Sequence, residues 1–412
     1  MDRVVRLKTG TTGRSLTFFE RGIDMERPEQ LRVLKEIINH MDKGTTVDIG
    51  GIRHNPTWVY TCPDLAEKEW QTFYRDYPQL IGASSDLPEP GTFLTTNDFG
   101  TPVLATRDAK GKFRAFVNVC RHRGVVLEEE TQGKRSKFIC PFHAWTYTNE
   151  GKLAGLPKPD HFGKIDRDCH GLIALPAVER FGLLWVHPKP EGTIDLDKLL
   201  GGLVPEFEAW GWDNLINLGY DTYDVRLNWK LANDTFGETY HFETLHRDTL
   251  AMNFHGNVQT YDTFDRNHRM SLVRREIDEM RKRPEDTWEI TQGTSPNYFL
   301  FPNIQINVTP FGILLFRTYP KHGDPSRSVS RVGFYARPEL MDEFGEMIQQ
   351  INQTLADVIR DEDYAVAARS QLGAEAGIPE HNVFGRNEPA LHHYHNTYRE
   401  LLGMEPLALL DA

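Results

Sequence analysis

The sequence predicts an α+β protein built on antiparallel sheets, and three observations predict it. Short β-like runs alternate with turn residues at 91–94, 103–106, 113–117 and 182–186. Strands at such regular spacing belong to small antiparallel domains. A second group of β-like runs covers 298–307, 312–319 and 329–335. A long helical pattern then runs over 338–371, apolar at Phe344, Met347, Ile348, Ile351, Leu355, Val358 and Ile359. At 412 residues the chain has room for two or three cores. Pro188, Pro190 and Gly192 mark a boundary. The chain therefore divides into an extension with a helix (1–55), a β domain (56–188) and a mixed domain (189–412).

In order, 1–50 reads as an irregular lead and then a helix at 28–41. Leu31, Leu34, Ile37 and Ile38 give that helix an apolar side for a neighbouring element or subunit. A short strand is expected at Trp58-Val59-Tyr60, then a helix capped near Asp64 and running to Tyr74. The β runs follow. Residues 189–215 read as a connector, 230–245 as a helical stretch and 265–284 as a charged segment.

The formal net charge of −12 argues against a nucleic-acid partner. No apolar run is long enough to span a membrane, and residues 1–15 are basic without an apolar signal core. The expected location is the cytoplasm. Of the four cysteines, Cys62 and Cys169 are expected reduced and spare.

The other two cysteines sit in the stretch the chain is organised around. Cys120-Arg121-His122-Arg123-Gly124 opens it, and Cys140-Pro141-Phe142-His143 closes it before Ala144-Trp145. Each loop offers one thiolate and one imidazole, whereas a zinc finger groups its cysteines and histidines separately. Two thiolates on one iron and two imidazoles on the other is the ligand set of a Rieske two-iron, two-sulfur cluster. A structural zinc site is the competing reading. The two motifs and the gap between them resemble the non-haem iron ring-hydroxylating oxygenases, large (alpha) subunit. That resemblance implies a Rieske [2Fe-2S] domain over 56–188, with Cys120, His122, Cys140 and His143 as cluster ligands. It implies a helix-grip catalytic domain over 189–412, an antiparallel sheet folded around a helix.

A second constellation lies at His241-x4-His246. Two histidines and a carboxylate form a facial triad that leaves positions open on Fe(II). Five residues turn a helix by about 500°, so the helix must end or distort between the two rings. On spacing alone, two unrelated polar histidines are the simpler reading. The lead Asn228-Trp229-Lys230 and Tyr240 beside His241 resemble the family's mononuclear iron motif. For the third ligand, helical periodicity slightly prefers Glu362, with Asp363 at the edge of the apolar face. The family pattern, Glu-Asp and a Gln eight residues later, fits Glu362, Asp363 and Gln371, and selects Asp363. Glu362 stays as the alternative, and a solvated acidic patch as the plain reading. Most of the family has Asp three residues before the first histidine, bridging to the Rieske histidine of the next subunit. Here it is Glu238, as in the family's quaternary-ammonium oxygenases.

The resemblance implies an oxygenase component that uses O2 and electrons from NAD(P)H. The electrons come from a separate reductase, directly or through a ferredoxin, and pass from the cluster to Fe(II). It further implies a homotrimer, or a trimer with a small beta subunit. The expected substrate is an aromatic or related small organic molecule, with a quaternary ammonium compound as the alternative. Monooxygenation and dioxygenation use the same ligands. Phe236, Phe299, Phe301 and Asn303 are candidates for substrate contact. A non-catalytic Rieske electron-transfer protein is the alternative from another class.

Overall fold

The computed structural model describes residues 25–411. Its largest element is a seven-stranded antiparallel sheet. From edge to edge its strands are Ile216–Val225, Asp324–Ala336, Gly312–Lys321, Ile304–Thr309, Thr294–Leu300, Asn267–Arg274 and Phe254–Phe264. The last six form a meander, and the first, which is also first in sequence, pairs with the strand that comes last in sequence, Asp324–Ala336. Direct cross-strand partners share a face. One face carries Tyr298, Ile306 and Leu315 into a core with the helices Arg27–Lys43 and Val204–Trp210. The other carries Phe299, Leu314, Phe316 and Val332 toward Trp229, Phe236 and the C-terminal helices. This is an α+β helix-grip arrangement, as expected.

The β domain is three small sheets. Five strands run in the order Ala174–Leu175, Phe113–Val117, Val103–Arg107, Thr92–Thr96 and Gln132–Lys134. Three more are Ala177–Arg180, Leu183–Val186 and Gln79–Ala83, and the last three are Lys137–Ile139, Thr146–Thr148 and Leu153–Gly155. Both Cys/His loops project from this domain, the second as the tip of the hairpin joining Lys137–Ile139 to Thr146–Thr148. Ile81, Val103 and Phe113 share a continuous core with Trp229, Phe301 and Phe316, so the two β units are packed together.

The first helix is longer than expected, Arg27–Lys43, and packs on the sheet of its own chain. The irregular lead over 1–24 lies outside the described residues. Trp58-Val59-Tyr60 is not a strand but part of a 3-10 turn, Thr57–Tyr60. The strand is the preceding Arg53–Pro56, whose partner is His381–Phe384 near the other end of the chain. The next helix starts at Pro63, whose ring suits the first helical position, rather than at Asp64. The connector contains two helices, Leu196–Leu200 and Val204–Trp210.

The charged segment at 265–284 contains the central strand Asn267–Arg274. Its Arg269 is fully buried and bonded to Glu206 (2.5 Å), Glu29 (2.6 Å) and Asp262 (2.7 Å). Three carboxylates from three elements let a guanidinium lie inside. Arg32 first, and then Arg269, hold the Glu29 carboxyl down at about 2 against the opposing effect of burial. The helical stretch at 230–245 is only Trp229–Asp234, and residues 235–249 are turns. The expected run 298–307 is two strands joined through Phe301-Pro302-Asn303. The long C-terminal helix is present as Met341–Val358 and Tyr364–Glu375, joined by a wider π turn over Ile359–Asp363.

Candidate metal centres

The two Cys/His loops are structural twins. Cys120 N–H donates to Val125 O (2.8 Å), and Gly124 N–H to Cys120 O (2.9 Å). In the second loop Cys140 N–H donates to Trp145 O (2.8 Å), and Ala144 N–H to Cys140 O (3.0 Å). Each loop turns at the fourth residue after its cysteine through a left-handed backbone, Gly124 at φ 73° and Ala144 at φ 57°. Glycine takes that conformation freely, whereas alanine is strained there. Both thiols are buried, and no disulfide joins them. Burial above all, and Cys140 alongside, push the Cys120 thiol up, while Tyr147 pulls it back. The His122 and His143 rings lie 4.6 Å apart. Trp145 of the second loop stacks on His122 of the first at 5.1 Å, fixing that histidine ring from the opposite loop. The Tyr147 hydroxyl accepts from Arg121 N–H (3.0 Å) and lies 3.4 Å from Cys120 Sγ.

The second centre is assembled by the turn after Asp234 and by the π turn. Asn228 starts the helix Trp229–Asp234 by accepting from Lys230 N–H (2.9 Å), and its own N–H donates to Gln371 Oε1 (3.0 Å). That bond ties the histidine segment to the helix bearing the carboxylate. Trp229 Nε1–H (3.0 Å) and Lys230 Nζ (2.5 Å) both donate to Glu69. Asp234 accepts from Tyr394 (2.5 Å), His395 (2.9 Å) and Tyr60 (3.0 Å) at the point where the helix stops. The Asn-Trp-Lys lead thus holds the site in place from outside it.

Ligand atoms of His241, His246 and Asp363 lie within 4.8 Å of one another. Asp363 Oδ1 is 3.3 Å from His241 Nε2 and 3.2 Å from His246 Nε2. The other ring nitrogens face carboxylates. His246 Nδ1–H donates to Glu362 Oε2 (2.6 Å), which also accepts from Thr249 Oγ1–H (2.8 Å). His241 Nδ1 bonds Glu238 Oε1, and the other Glu238 oxygen accepts from the Tyr240 and His241 N–H groups. Each imidazole is therefore held by a carboxylate behind it while its Nε2 faces Asp363. Outer carboxylates of this kind set ring orientation and raise ligand basicity. Burial pulls the His241 imidazole down, but Asp363 and Glu238 overcome it and hold it up at about 10. Burial would raise Asp363, and the two histidines hold it below its usual range instead.

The π turn explains why Glu362 and Asp363 compete in the sequence. A π turn takes in one residue more than an α turn and shifts the phase of the helix. Asp363 is thereby carried to the inner face, buried, and Glu362 to the back of His246. Phe236 packs on Phe316 (5.1 Å), and Phe299 stacks on His268 (5.0 Å), both on this side of the sheet. Phe301 instead packs on Phe73 and Tyr77, and Asn303 Nδ2–H donates to Thr318 O, so both are scaffold. A cleft of about 750 Å³ bordered by Arg53, Tyr261, Arg266, His392 and His393 contains none of the three metal-facing residues. The sequence reading missed Tyr147, Thr249 and Asp234. Tyr147 and Thr249 lie within a few residues of His143 and His246, which was the one signal available.

A β domain with two facing Cys/His loops, joined to a helix-grip domain with a two-histidine, one-carboxylate cluster, defines a two-centre iron protein. The chain belongs to the ring-hydroxylating oxygenases, alpha subunit. Residues 77–176 match the Rieske [2Fe-2S] domain, and 212–404 match the ring hydroxylating alpha subunit catalytic domain. The chain is 29% identical over 200 residues to the anthranilate 1,2-dioxygenase large subunit of Acinetobacter baylyi, covering 47% of this chain and 42% of that one. It is 29% identical over 197 residues to the glycine betaine monooxygenase oxygenase subunit of Chromohalobacter salexigens, covering 47% and 43%. The matched stretch thus spans less than half the length of these two relatives. The fold resembles the quaternary ammonium Rieske monooxygenase CntA, with a TM-score of 0.74 at 20% identity over 85% of this chain and 96% of that one. At that identity the likeness concerns the fold alone.

These two domains imply a Rieske [2Fe-2S] cluster and a mononuclear iron as cofactors. The residues present fit both groups. His122 Nδ1 is buried with no hydrogen-bond partner among the described residues, in a loop whose cysteine is buried and free. His241 Nε2 is likewise buried without a hydrogen bond, beside a buried carboxylate and a second imidazole. Nitrogen and carboxylate donors in a three-ligand set suit Fe(II).

Proposed function

We propose that the chain is the oxygenase component of a multicomponent Rieske system. It uses O2 and electrons from NAD(P)H to hydroxylate, dihydroxylate or demethylate a small organic substrate. The observation that carries this reading is the pairing, in one chain, of twin Cys/His loops with the His241, His246 and Asp363 cluster. Cys120, Cys140, His122 and His143 would hold the cluster, and His241, His246 and Asp363 the Fe(II). When bound, the cluster supplies one-electron transfer and the Fe(II) activates dioxygen.

The chain's own residues do the rest. Glu238 and Glu362 hold the Nδ1 protons of the two histidines and turn both Nε2 atoms inward. Phe236 and Phe299 place aromatic rings on the metal side of the sheet. Glu238 is the positioning residue at the edge of the site. It is partly exposed beside Tyr240, which is 66% exposed, so a neighbouring subunit has access to it.

The reading includes a head-to-tail homotrimer or a trimer with a small beta subunit. It also includes an NAD(P)H-dependent reductase acting directly or through a ferredoxin, and a cytoplasmic location. Phe142 (52% exposed) and Ile139 (60% exposed) at the loop tip support docking there. Among the described residues no helix is long and apolar enough to cross a membrane. The division at 1–55, 56–188 and 189–412 accommodates both matched family segments. An aromatic or related substrate is favoured. Glu238 in place of Asp, together with the glycine betaine relative, favours a quaternary ammonium substrate as the second reading.

The test is the electron paramagnetic resonance spectrum of dithionite-reduced, anaerobically purified protein, with iron and zinc measured on the same sample. A Rieske signal with iron beyond the cluster's two supports the oxygenase. A Rieske signal with no further iron, even after Fe(II) is added, supports an electron-transfer protein. Zinc without a reduced-cluster signal contradicts both.

A further inference from the structure

The metal side of the large sheet carries a row of carboxamides, two buried and one half-buried, that the site described so far does not use. Asn297 and Asn307 are direct cross-strand partners, so they share a face. Gln305 shares it too, paired with Phe299 on one side and Phe316 on the other. Three contacts fix which face this is. Asn297 Nδ2–H points at Phe236 O (3.5 Å), the Phe236 ring packs on Phe316, and Gln259 Oε1 accepts from Thr239 Oγ1–H (3.1 Å). Residues 236–239, which lead directly into His241, therefore lie across these strands. The opposite face is closed by the core with Tyr298, Ile306 and Leu315.

Gln305 is 1% exposed, and neither its Oε1 nor its Nε2 has a hydrogen-bond partner among the described residues. Asn297, 4% exposed, has an unpartnered Oδ1, and so does Asn307. Buried side-chain polar atoms are nearly always paired, because leaving them unpaired costs stability. Four unpartnered atoms on one patch, between two phenylalanines and beside the metal-binding segment, mark a surface shaped for a polar ligand. Its charge is as informative. The cross-strand row of Gln305 holds Thr263, His268, Phe299, Phe316, Val332 and, at the sheet edge, Asp221, and that of Asn297 holds Tyr261, Met270, Asn307, Leu314, Phe334 and Gly219. Neither row contains Lys or Arg. The one titratable base, His268, is held far below its usual range by burial and so stays neutral.

We infer that Gln305, with Asn297 and Asn307, selects a substrate that presents an uncharged hydrogen-bonding group, such as an amide, to an otherwise aromatic pocket. This rests on the oxygenase reading and narrows its substrate class. A bare hydrocarbon would leave the carboxamides unpaired, and a carboxylate would find no cation. A site that hydrogen-bonds its substrate discriminates strongly against analogues that lack the group.

The test is calorimetric binding of benzamide, toluene and benzoate to iron-loaded protein whose Rieske signal and iron content have been verified. The expected result is benzamide binding at least about tenfold tighter than either other probe. Gln305→Leu should erase that preference, with toluene binding unchanged or tighter. Its melting temperature should not fall, since no protein partner of Gln305 is lost. Gln305→Met provides the same comparison with an unbranched side chain. A wild-type preference for toluene or benzoate, binding of none of the three, or equal weakening of all probes by both variants overturns the inference. A protein without the third iron fails the oxygenase reading before any probe is added. A fully loaded protein that prefers toluene fails only this inference.

Discussion

The two candidate centres are built on opposite terms. At the loop tip the thiols are buried, but His143 is exposed and Phe142 is 52% exposed. At the second centre His246 is 0% and Asp363 5% exposed, and each histidine is backed by a carboxylate. A centre that exchanges electrons with other proteins needs an open edge. A centre that handles dioxygen beside an organic substrate needs a dry, fixed one. The loop tip relies on backbone turns and one stacked indole for its geometry. The buried centre relies on charge, and that makes it the more fragile to single substitutions.

The comparison breaks most readily at Glu69. Lys230 and Glu69 are 3% and 2% exposed and form a buried pair outside the metal site. Removing one partner leaves an uncompensated buried charge, so Glu69→Ala should destabilise the protein by about 3–5 kcal/mol in urea unfolding. An unchanged midpoint would show that the scaffold does not depend on buried charge. Next in size is Glu362→Ala. Losing the carboxylate behind His246 should weaken Fe(II) binding by about 10–100-fold in a metal titration while the cluster signal stays as in wild type. Unaltered iron affinity would remove Glu362 from the site.

Glu238→Gln sharpens the link between the two regions. Gln still accepts from His241 Nδ1–H, so both metals should remain bound while turnover with the reductase falls. Normal turnover would end the positioning role. The smallest effect belongs to the exposed centre. Tyr147→Phe removes the hydroxyl 3.4 Å from Cys120 Sγ, and fewer hydrogen bonds to a cluster's sulfurs lower its potential. A redox titration should therefore show a more negative midpoint with iron content unchanged. A midpoint at or above the wild-type value would contradict that role.

What could be read in the sequence follows the same divide. The Cys/His loops are local, each built within a few residues, and their pattern is legible there. The histidine pair was legible only through the Asn228-Trp229-Lys230 lead and Tyr240 beside His241, because a five-residue spacing does not bring two rings to one face of a regular helix. The choice between Glu362 and Asp363 was not open to periodicity, because the π turn over Ile359–Asp363 changes the phase of the helix at these two residues. The strand Asn267–Arg274 was hidden because Arg269 marks it as surface, while two of its three carboxylate partners, Glu29 and Glu206, come from distant segments. Arg53–Pro56 was hidden for a similar reason, since its partner strand, His381–Phe384, lies near the other end of the chain. The carboxamide row emerges only when strand register puts Asn297, Gln305 and Asn307 on one face.

The most direct test of two separate iron centres in this one chain is an iron and sulfide count with the reduced-state resonance spectrum, on Cys140→Ser and Asp363→Ala side by side. Asp363→Ala should keep the Rieske signal and the acid-labile sulfide and lose only the additional iron. Cys140→Ser should lose the signal and the sulfide while the buried centre still takes up Fe(II). Loss of the cluster in Asp363→Ala, or full retention of its additional iron, would contradict the account.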